Sequence, residues 1–146
     1  MKHEKHYRAL EKMYLAGPIN ELFNPRITVS KERAEIEIEV HRALFHSAGA
    51  VHGSVYFKML DDAAFFAANS VVSDYFVLTT SFTTYLLRPI SSGLMKSTGK
   101  VLSRTKAQII AESIVYNGRG KELGRGTGIF VKSKLPLVDA LGYGHA

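Results

Sequence analysis

The sequence predicts an α+β fold in which a curved antiparallel sheet wraps around a long central helix, with a short helix at the N-terminus. The first observation is an apolar stretch from Gly53 to about Ser70, which is too long for an ordinary strand. The second is a series of four strand-like segments that follow it, joined by short turn-like links. Because consecutive strands with tight links pair antiparallel, these segments predict a meander around the buried helix.

The region before the central helix predicts a helix and a hairpin. Apolar side chains at positions 7, 10, 13 and 14 have roughly helical spacing, and Gly17-Pro18 ends the pattern. Segment 34–40 alternates apolar and mostly acidic residues and follows a strand-like segment at 26–30, which predicts a β-hairpin. We therefore expect an N-terminal helical extension over 1–18, one domain over 19–133 and an irregular C-terminal tail over 134–146.

The central helix and the later strands follow from their patterns. Residues 53–70 are apolar on nearly every side of a helix, with charges only at Lys58, Asp61 and Asp62, so the helix is buried on most faces. The four strands are predicted at 76–87, 94–103, 107–116 and 122–132, and glycines between 124 and 128 predict bulges or close packing.

Composition limits the function. The 146 residues are 46% hydrophobic, which suits one globular domain, and the absence of cysteine excludes disulfides, thiol nucleophiles and cysteine-based zinc sites. The net charge of +6 suggests an anionic partner, such as nucleic acid, an acyl-carrier protein or coenzyme A. No secretory signal or membrane-spanning stretch is visible, so we expect a cytoplasmic protein without a membrane partner.

Two adjacent carboxylates in the apolar helix need a physical reason, because an unpaired buried charge is costly. Lys58, three and four residues before Asp61 and Asp62, can pair with one of them. The other carboxylate is left in apolar surroundings, which raise its pKa toward the range useful to a general base or nucleophile.

Gly53 lies at the expected start of the same helix. Backbone N–H groups are unpaired there and the helix dipole is positive, so the site suits an oxyanion. Eight residues separate Gly53 from Asp61, which is about 12 Å at 1.5 Å per residue. One carbonyl cannot reach both groups within one chain, so a site that uses both requires a dimer.

The segment His46-Ser-Ala-Gly49-Ala-Val-His52-Gly53, with Asp61 eight residues later, resembles the motif of the phenylacetate-degradation-type (PaaI-like) hotdog thioesterases. These belong to the hydroxybenzoyl-CoA thioesterase superfamily. The resemblance continues in the strand that ends at Arg88-Pro89 and in the segment from Gly120 to Val131, and it covers about residues 27–132.

The resemblance implies hydrolysis of an acyl-CoA thioester, with Asp61 as nucleophile or general base and the Gly53 N–H as oxyanion donor. It also implies that Thr79 positions the attacking water and that the active protein is a homodimer, with a homotetramer expected. His46 stands where the family usually has Asn or Gln, and Ser54 where it usually has a second glycine. Six further residues are expected to contact substrate or CoA: His52, Ser54, Ser81, Arg88, Arg104 and Lys106.

Several alternatives remain open on the sequence. The presence of His46 in place of the family's usual Asn or Gln is compatible with a non-catalytic acyl-CoA binding or sensing protein. His46 with Asp61 could also mimic the histidine and acid pair of a hotdog dehydratase. His41, His46 and His52 lack the spacing of a metal site, so we expect no metal and no cofactor other than the CoA of the substrate. A nucleic-acid partner is supported only by charge and is not expected. An apolar acyl pocket is expected among Phe57, Phe65, Phe66 and Tyr85.

Overall fold

A computed structural model describes residues 2–144 of the chain. Its helices are α1 (Lys2–Ala16), α2 (Asn20–Phe23) and α3 (Gly53–Asn69), with short 3-10 turns at Arg42–Leu44 and Leu137–Asp139. Its strands are β1 (Arg26–Ser30), β2 (Arg33–Glu39), β3 (Tyr75–Leu86), β4 (Leu94–Arg104), β5 (Ile109–Asn117) and β6 (Glu122–Pro136).

All six strands form one antiparallel sheet in the order β1-β2-β4-β5-β6-β3. The chain leaves the sheet after β2, forms α3, and returns to the opposite edge as β3 before the meander continues. Register shifts interrupt β3 between Thr79 and Ser81 and β4 between Val101 and Ser103, and such bulges bend a sheet. The predicted α+β fold, with a curved sheet around a central helix, is confirmed.

Helix α3 lies against the inner face of the sheet, and ten of its residues are buried. The closest approach is at Gly99 of β4, where a β-carbon would lie 2.2 Å from the Ala63 carbonyl oxygen. Gly126 and Gly128 of β6 lie against the Phe82 ring of β3. A β-carbon at either position would lie 2.4 Å from that ring. These glycines therefore allow close packing between strand and strand as well as between sheet and helix.

The predicted N-terminal helix, α1, belongs to the main hydrophobic core. Tyr7, Leu10, Met13 and Tyr14 are buried in the same cluster as residues of α3 and the sheet. A second short helix, α2, follows the Gly17-Pro18 break and was not predicted. Met1 lies outside the described residues.

The tail departs from the irregular conformation expected after residue 133. Strand β6 continues to Pro136, which pairs with Tyr75 of β3, so the sheet orders residues that the sequence pattern alone left irregular. The Leu137 N–H then donates to the Asp74 carbonyl, and the Leu137 side chain is buried. The last two residues of the expected tail, 145 and 146, lie outside the described residues. Within residues 2–144, no helix has the length and apolarity needed to cross a membrane.

Candidate active site

Asp61 lies in the third turn of α3 and faces the inner side of β3. Its side chain is half-buried, and its Oδ1 accepts a hydrogen bond from Thr79 Oγ1 at 2.8 Å. Thr79 reaches the helix because it precedes the β3 bulge and its side chain points inward. The helix and the edge strand thus bring together two residues predicted for the site.

The surroundings of Asp61 make its carboxyl a stronger base than usual. Burial raises the pKa of Asp61 from 3.8 to about 6. The Thr79 hydrogen bond lowers this pKa, the neighbouring Asp62 raises it, and Lys58 lowers it to a smaller extent. The carboxylate is therefore largely ionised at neutral pH while its basicity lies close to the operating pH, as a general base requires.

Asp62 has a different environment, because it is the carboxylate that Lys58 pairs with. The Lys58 Nζ lies 2.5 Å from Asp62 Oδ2, and the Tyr14 hydroxyl donates to the same oxygen at 2.7 Å. Burial raises the Tyr14 pKa well above its usual range, so this phenol stays protonated as the donor. Asp62 is therefore paired with a cation, whereas among the described residues Asp61 accepts a hydrogen bond only from Thr79.

A largely apolar cavity of about 360 Å³ opens beside Asp61. Phe65 and Phe66 line it, together with Phe76 and Leu78, whereas Phe57 and Tyr85 do not. Helix α3 is apolar on nearly every side, and its sequence pattern could not show which phenylalanine faces the cavity. Further walls come from α1 and the turn after it, which the sequence did not suggest.

The second group predicted for the site, the Gly53 N–H, lies in the first turn of α3. The helix begins at Gly53 as expected, and His52 caps it by accepting the Ser54 N–H on Nδ1 at 3.0 Å. The Ser54 hydroxyl lies 2.8 Å from the same ring nitrogen. Among the described residues, no group accepts a hydrogen bond from the Gly53 N–H. His52 and Ser54 thus fix the turn that leaves this donor free.

A recess of about 280 Å³ borders Gly53 and is lined in part by His46 and Arg88. The Ala48 N–H donates to His46 Nδ1 at 3.0 Å, which places the proton of the neutral ring on Nε2 as a free donor. The Arg88 guanidinium donates to the Glu122 carbonyl at 2.7 Å. In the part of the chain that the structure describes, no residue lines both this recess and the Asp61 cavity.

Three remaining predicted residues lie elsewhere. Arg104 and Lys106 border a recess of about 710 Å³ beyond the C-terminal end of α3, together with Lys132. Thr79 pairs with Phe130 of β6, Phe130 with Ile109 of β5, and Ile109 with Arg104 of β4, so Arg104 lies three strands away from Thr79. Ser81 is exposed on β3, two residues beyond Thr79. Within the described part of the chain, no three His, Asp or Glu side chains are grouped closely enough to hold a metal ion.

The sequence model of the Thioesterase superfamily matches residues 48–123, which contain Gly53, Asp61 and Thr79. No curated protein sequence is significantly similar to the chain. The fold is similar to that of the Escherichia coli PaaI protein from the phenylacetic acid degradation operon, with a TM-score of 0.83, 18% identity, and coverage of 92% of this chain and 97% of that one.

Two other solved structures have the same fold. A thioesterase family protein from Silicibacter pomeroyi has a TM-score of 0.76 and 23% identity over 84% of this chain and 96% of its own. A thioesterase from Pseudomonas aeruginosa has a TM-score of 0.75 and 15% identity over 84% of this chain and 89% of its own. The family match covers more than half of the chain. The protein therefore belongs to the Thioesterase superfamily, has the hotdog fold, and is a thioester hydrolase in its general class.

Proposed function

We propose that the protein hydrolyses acyl-CoA thioesters at a site formed by Asp61 of one chain and Gly53 of a second chain. The observation that carries the proposal is the Asp61 carboxylate itself. It is half-buried, held by Thr79, more basic than usual, and open to an apolar cavity large enough for an acyl group.

In the proposed reaction the Asp61 carboxylate removes a proton from a water molecule, and the water oxygen attacks the thioester carbonyl carbon. The resulting tetrahedral oxyanion accepts the Gly53 N–H, supported by the positive end of the α3 dipole. Collapse of this intermediate breaks the C–S bond, and the proton held by Asp61 passes to the CoA sulfur. In the alternative, the Asp61 carboxylate itself attacks the carbonyl carbon, the C–S bond breaks and CoA leaves as the thiolate. Water then hydrolyses the resulting mixed anhydride to the free acid and restores the Asp61 carboxylate.

The position of β3 supports a site shared between two chains. This strand is a free edge of the sheet. Thr79 contacts Asp61, whereas the Leu86 side chain lies 3.2 Å from where a β-carbon of Gly53 would be. An antiparallel pairing of two β3 strands about a twofold axis between Phe82 and Thr83 would place Thr79 of one chain opposite Leu86 of the other. The Asp61 of each chain would then approach the Gly53 of its partner.

Basic side chains support CoA as the carrier of the acyl group. Arg104, Lys106 and Lys132 border one open recess, where guanidinium and ammonium groups suit the phosphates of the nucleotide. Arg88 lies beside Gly53 in a second recess. The apolar cavity at Asp61 and the charged recesses elsewhere match the two chemical halves of an acyl-CoA.

The first test compares hydrolysis of an acyl-CoA panel by the wild type, Asp61→Asn and the surface control Asp139→Asn. We expect Asp61→Asn to lower kcat by about a thousandfold, the scale of a lost general base, and Asp139→Asn to have no effect. Equal activity of the wild type and Asp61→Asn would refute the proposal. Tight binding of acyl-CoA by the wild type without turnover would instead identify a sensor.

The shared site has a test of its own. Proline is tolerated at the first position of a helix and lacks an N–H, so Gly53→Pro removes the proposed oxyanion donor, whereas Gly53→Ala retains it. Equal amounts of Asp61→Asn and Gly53→Pro chains, unfolded and refolded together, would form half mixed dimers with one intact site each. We expect recovery of about a quarter of wild-type activity. No recovery above the separate variants would show that the two groups act within one chain.

A further inference from the structure

We propose that residues 13–20, which comprise the end of α1 and the turn after it, form the far wall of the acyl pocket. This wall limits the acyl group to an uncharged chain of medium length. The inference rests on the proposed function, because it identifies the Asp61 cavity as the acyl site.

The wall and the proposed base border the same cavity. Asp61 and Thr79 line one part of it, and Met13, Gly17 and Ile19 line another. A thioester whose carbonyl carbon lies near Asp61 would therefore direct its acyl chain toward the N-terminal segment. The volume of about 360 Å³ is at the lower end of ligand pockets, so the wall stops a long chain.

Buried polar contacts hold the wall against α3. The Lys58 ammonium donates to Asn20 Oδ1 at 2.8 Å, to Asp62 Oδ2 at 2.5 Å and to the Tyr14 hydroxyl at 3.2 Å. The Asn20 amide donates in turn to the Tyr14 carbonyl at 2.7 Å. All three ammonium hydrogens are used, and the side chains of Lys58 and Asp62 are only 12% and 20% exposed. These groups fix the segment and offer no free donor to a substrate.

The remaining lining selects for apolar acyl groups. Phe65 packs against Phe66 and Phe76 with ring centroids 5.0 and 5.1 Å apart. Ile19 and Leu78 line the cavity yet are 62% and 48% exposed, so a bound alkyl chain would remove apolar surface from water. A charged acyl end would lose its hydration here without gaining a partner.

The wall lies outside residues 48–123, the region that matches the Thioesterase superfamily. Membership of the family therefore does not determine the shape of this part of the cavity. In this chain the N-terminal segment sets the length of the pocket.

The test changes the size of Ile19 and measures kcat/KM for acetyl-, octanoyl- and palmitoyl-CoA. We expect Ile19→Trp to lower the octanoyl-to-acetyl ratio about tenfold or more and Ile19→Ala to raise relative activity toward palmitoyl-CoA. The matched control is Leu22→Trp, because Leu22 is 50% exposed on α2 and does not line the cavity. Ile19 variants with the same chain-length profile as the Leu22 control would overturn the inference.

A binding measurement separates this inference from the proposed function. The probe is a thioether analogue of octanoyl-CoA, which cannot be hydrolysed. Its affinity is measured by isothermal titration calorimetry with the protein as purified, whether dimeric or monomeric. We expect the wild type and Asp61→Asn to bind the probe and Ile19→Trp to bind it about tenfold more weakly. This result supports the acyl wall even if no thioester is hydrolysed. Failure of the wild type to bind, or equal binding by wild type and Ile19→Trp, contradicts it.

Discussion

The polar cluster around Asp62 and the cavity around Asp61 differ sharply, although the two carboxylates are neighbours on one helix. Asp62 accepts hydrogen bonds from Lys58 and Tyr14 and takes part in holding α1 against α3. Among residues 2–144, Asp61 accepts a hydrogen bond only from Thr79, and it faces an apolar cavity. The comparison shows that a step of one residue along the helix decides whether a carboxylate is paired with a cation or becomes more basic than usual.

The largest effect on stability is expected from removing the ammonium of the polar cluster. Lys58→Met retains an unbranched side chain but removes the ammonium that lies over the Tyr14 and Phe23 rings, and it leaves Asp62 without its cation. We expect the free energy of unfolding to fall by about 2–3 kcal/mol, because breaking a mostly buried pair leaves an uncompensated charge. Urea unfolding at neutral pH measures this change.

A surface pair provides the control for that variant. Lys96→Met breaks the pair with Glu35, in which both side chains are 49% exposed, and should cost less than about 0.5 kcal/mol. In the double variant Lys58→Met/Asp62→Asn, removal of the charge should restore part of the lost stability. Equal costs for Lys58→Met and Lys96→Met would show that the Asp62 cluster is no stronger than a surface ion pair.

A smaller and opposite effect is expected at Asp61. Its pKa is raised to about 6 in the folded protein, so between pH 3.8 and about 6 the folded state retains a proton that the unfolded state has lost. The stability contributed by this group therefore falls as pH rises through that window. Asp61→Asn should be more stable than the wild type by about 1–2 kcal/mol at pH 7.5, after allowance for partial exposure.

The decisive measurement is how the gain in the free energy of unfolding of Asp61→Asn depends on pH. Thermal unfolding of both proteins should show the difference shrinking as pH falls from about 6 and reaching zero only well below pH 3.8, where the Asp61 carboxyl is protonated in both states. A gain that stays constant with pH would point to a packing effect of the amide. A loss of stability at pH 7.5 would mean that the Asp61 charge is as well compensated as that of Asp62.

The smallest effect is expected from removing the hydrogen bond that Thr79 donates to Asp61. Thr79→Val retains the shape of the side chain, and the loss of the donor should lower kcat about three- to tenfold. Because this bond favours the ionised carboxylate, its loss should also move the acidic limb of the pH–kcat profile above the wild-type midpoint near pH 6. An unchanged midpoint would show that Thr79 does not act on the Asp61 proton.

Local patterns were sufficient to predict most of the fold. The apolar run from Gly53 identified α3, and short links between the later strands identified the meander, because both features depend on residues close in sequence. The short helix α2 and the end of β6 were missed. Pro136 is ordered by pairing with Tyr75, and such a long-range contact leaves no local pattern in the sequence.

Only part of the candidate site could be predicted from local sequence patterns. Lys58 lies at a spacing that suits either Asp61 or Asp62, and the choice depends on Tyr14, which is 48 positions away from Asp62. The acyl wall around Ile19 likewise depends on where α1 packs. The roles of all the predicted site residues toward a substrate, those of Asp61, Gly53 and Thr79 included, stay predictions, as does the second chain.

The β3 edge has a consequence for how the protein must be handled and how it must fold. From Tyr75 to Leu87 the chain contains no charged residue, whereas the opposite edge strand, β1, begins with Arg26. A long uncharged edge strand can pair with any extended chain, which is the usual route to aggregation. Proline substitutions that block pairing of β3 should therefore yield insoluble protein more often than a soluble monomer.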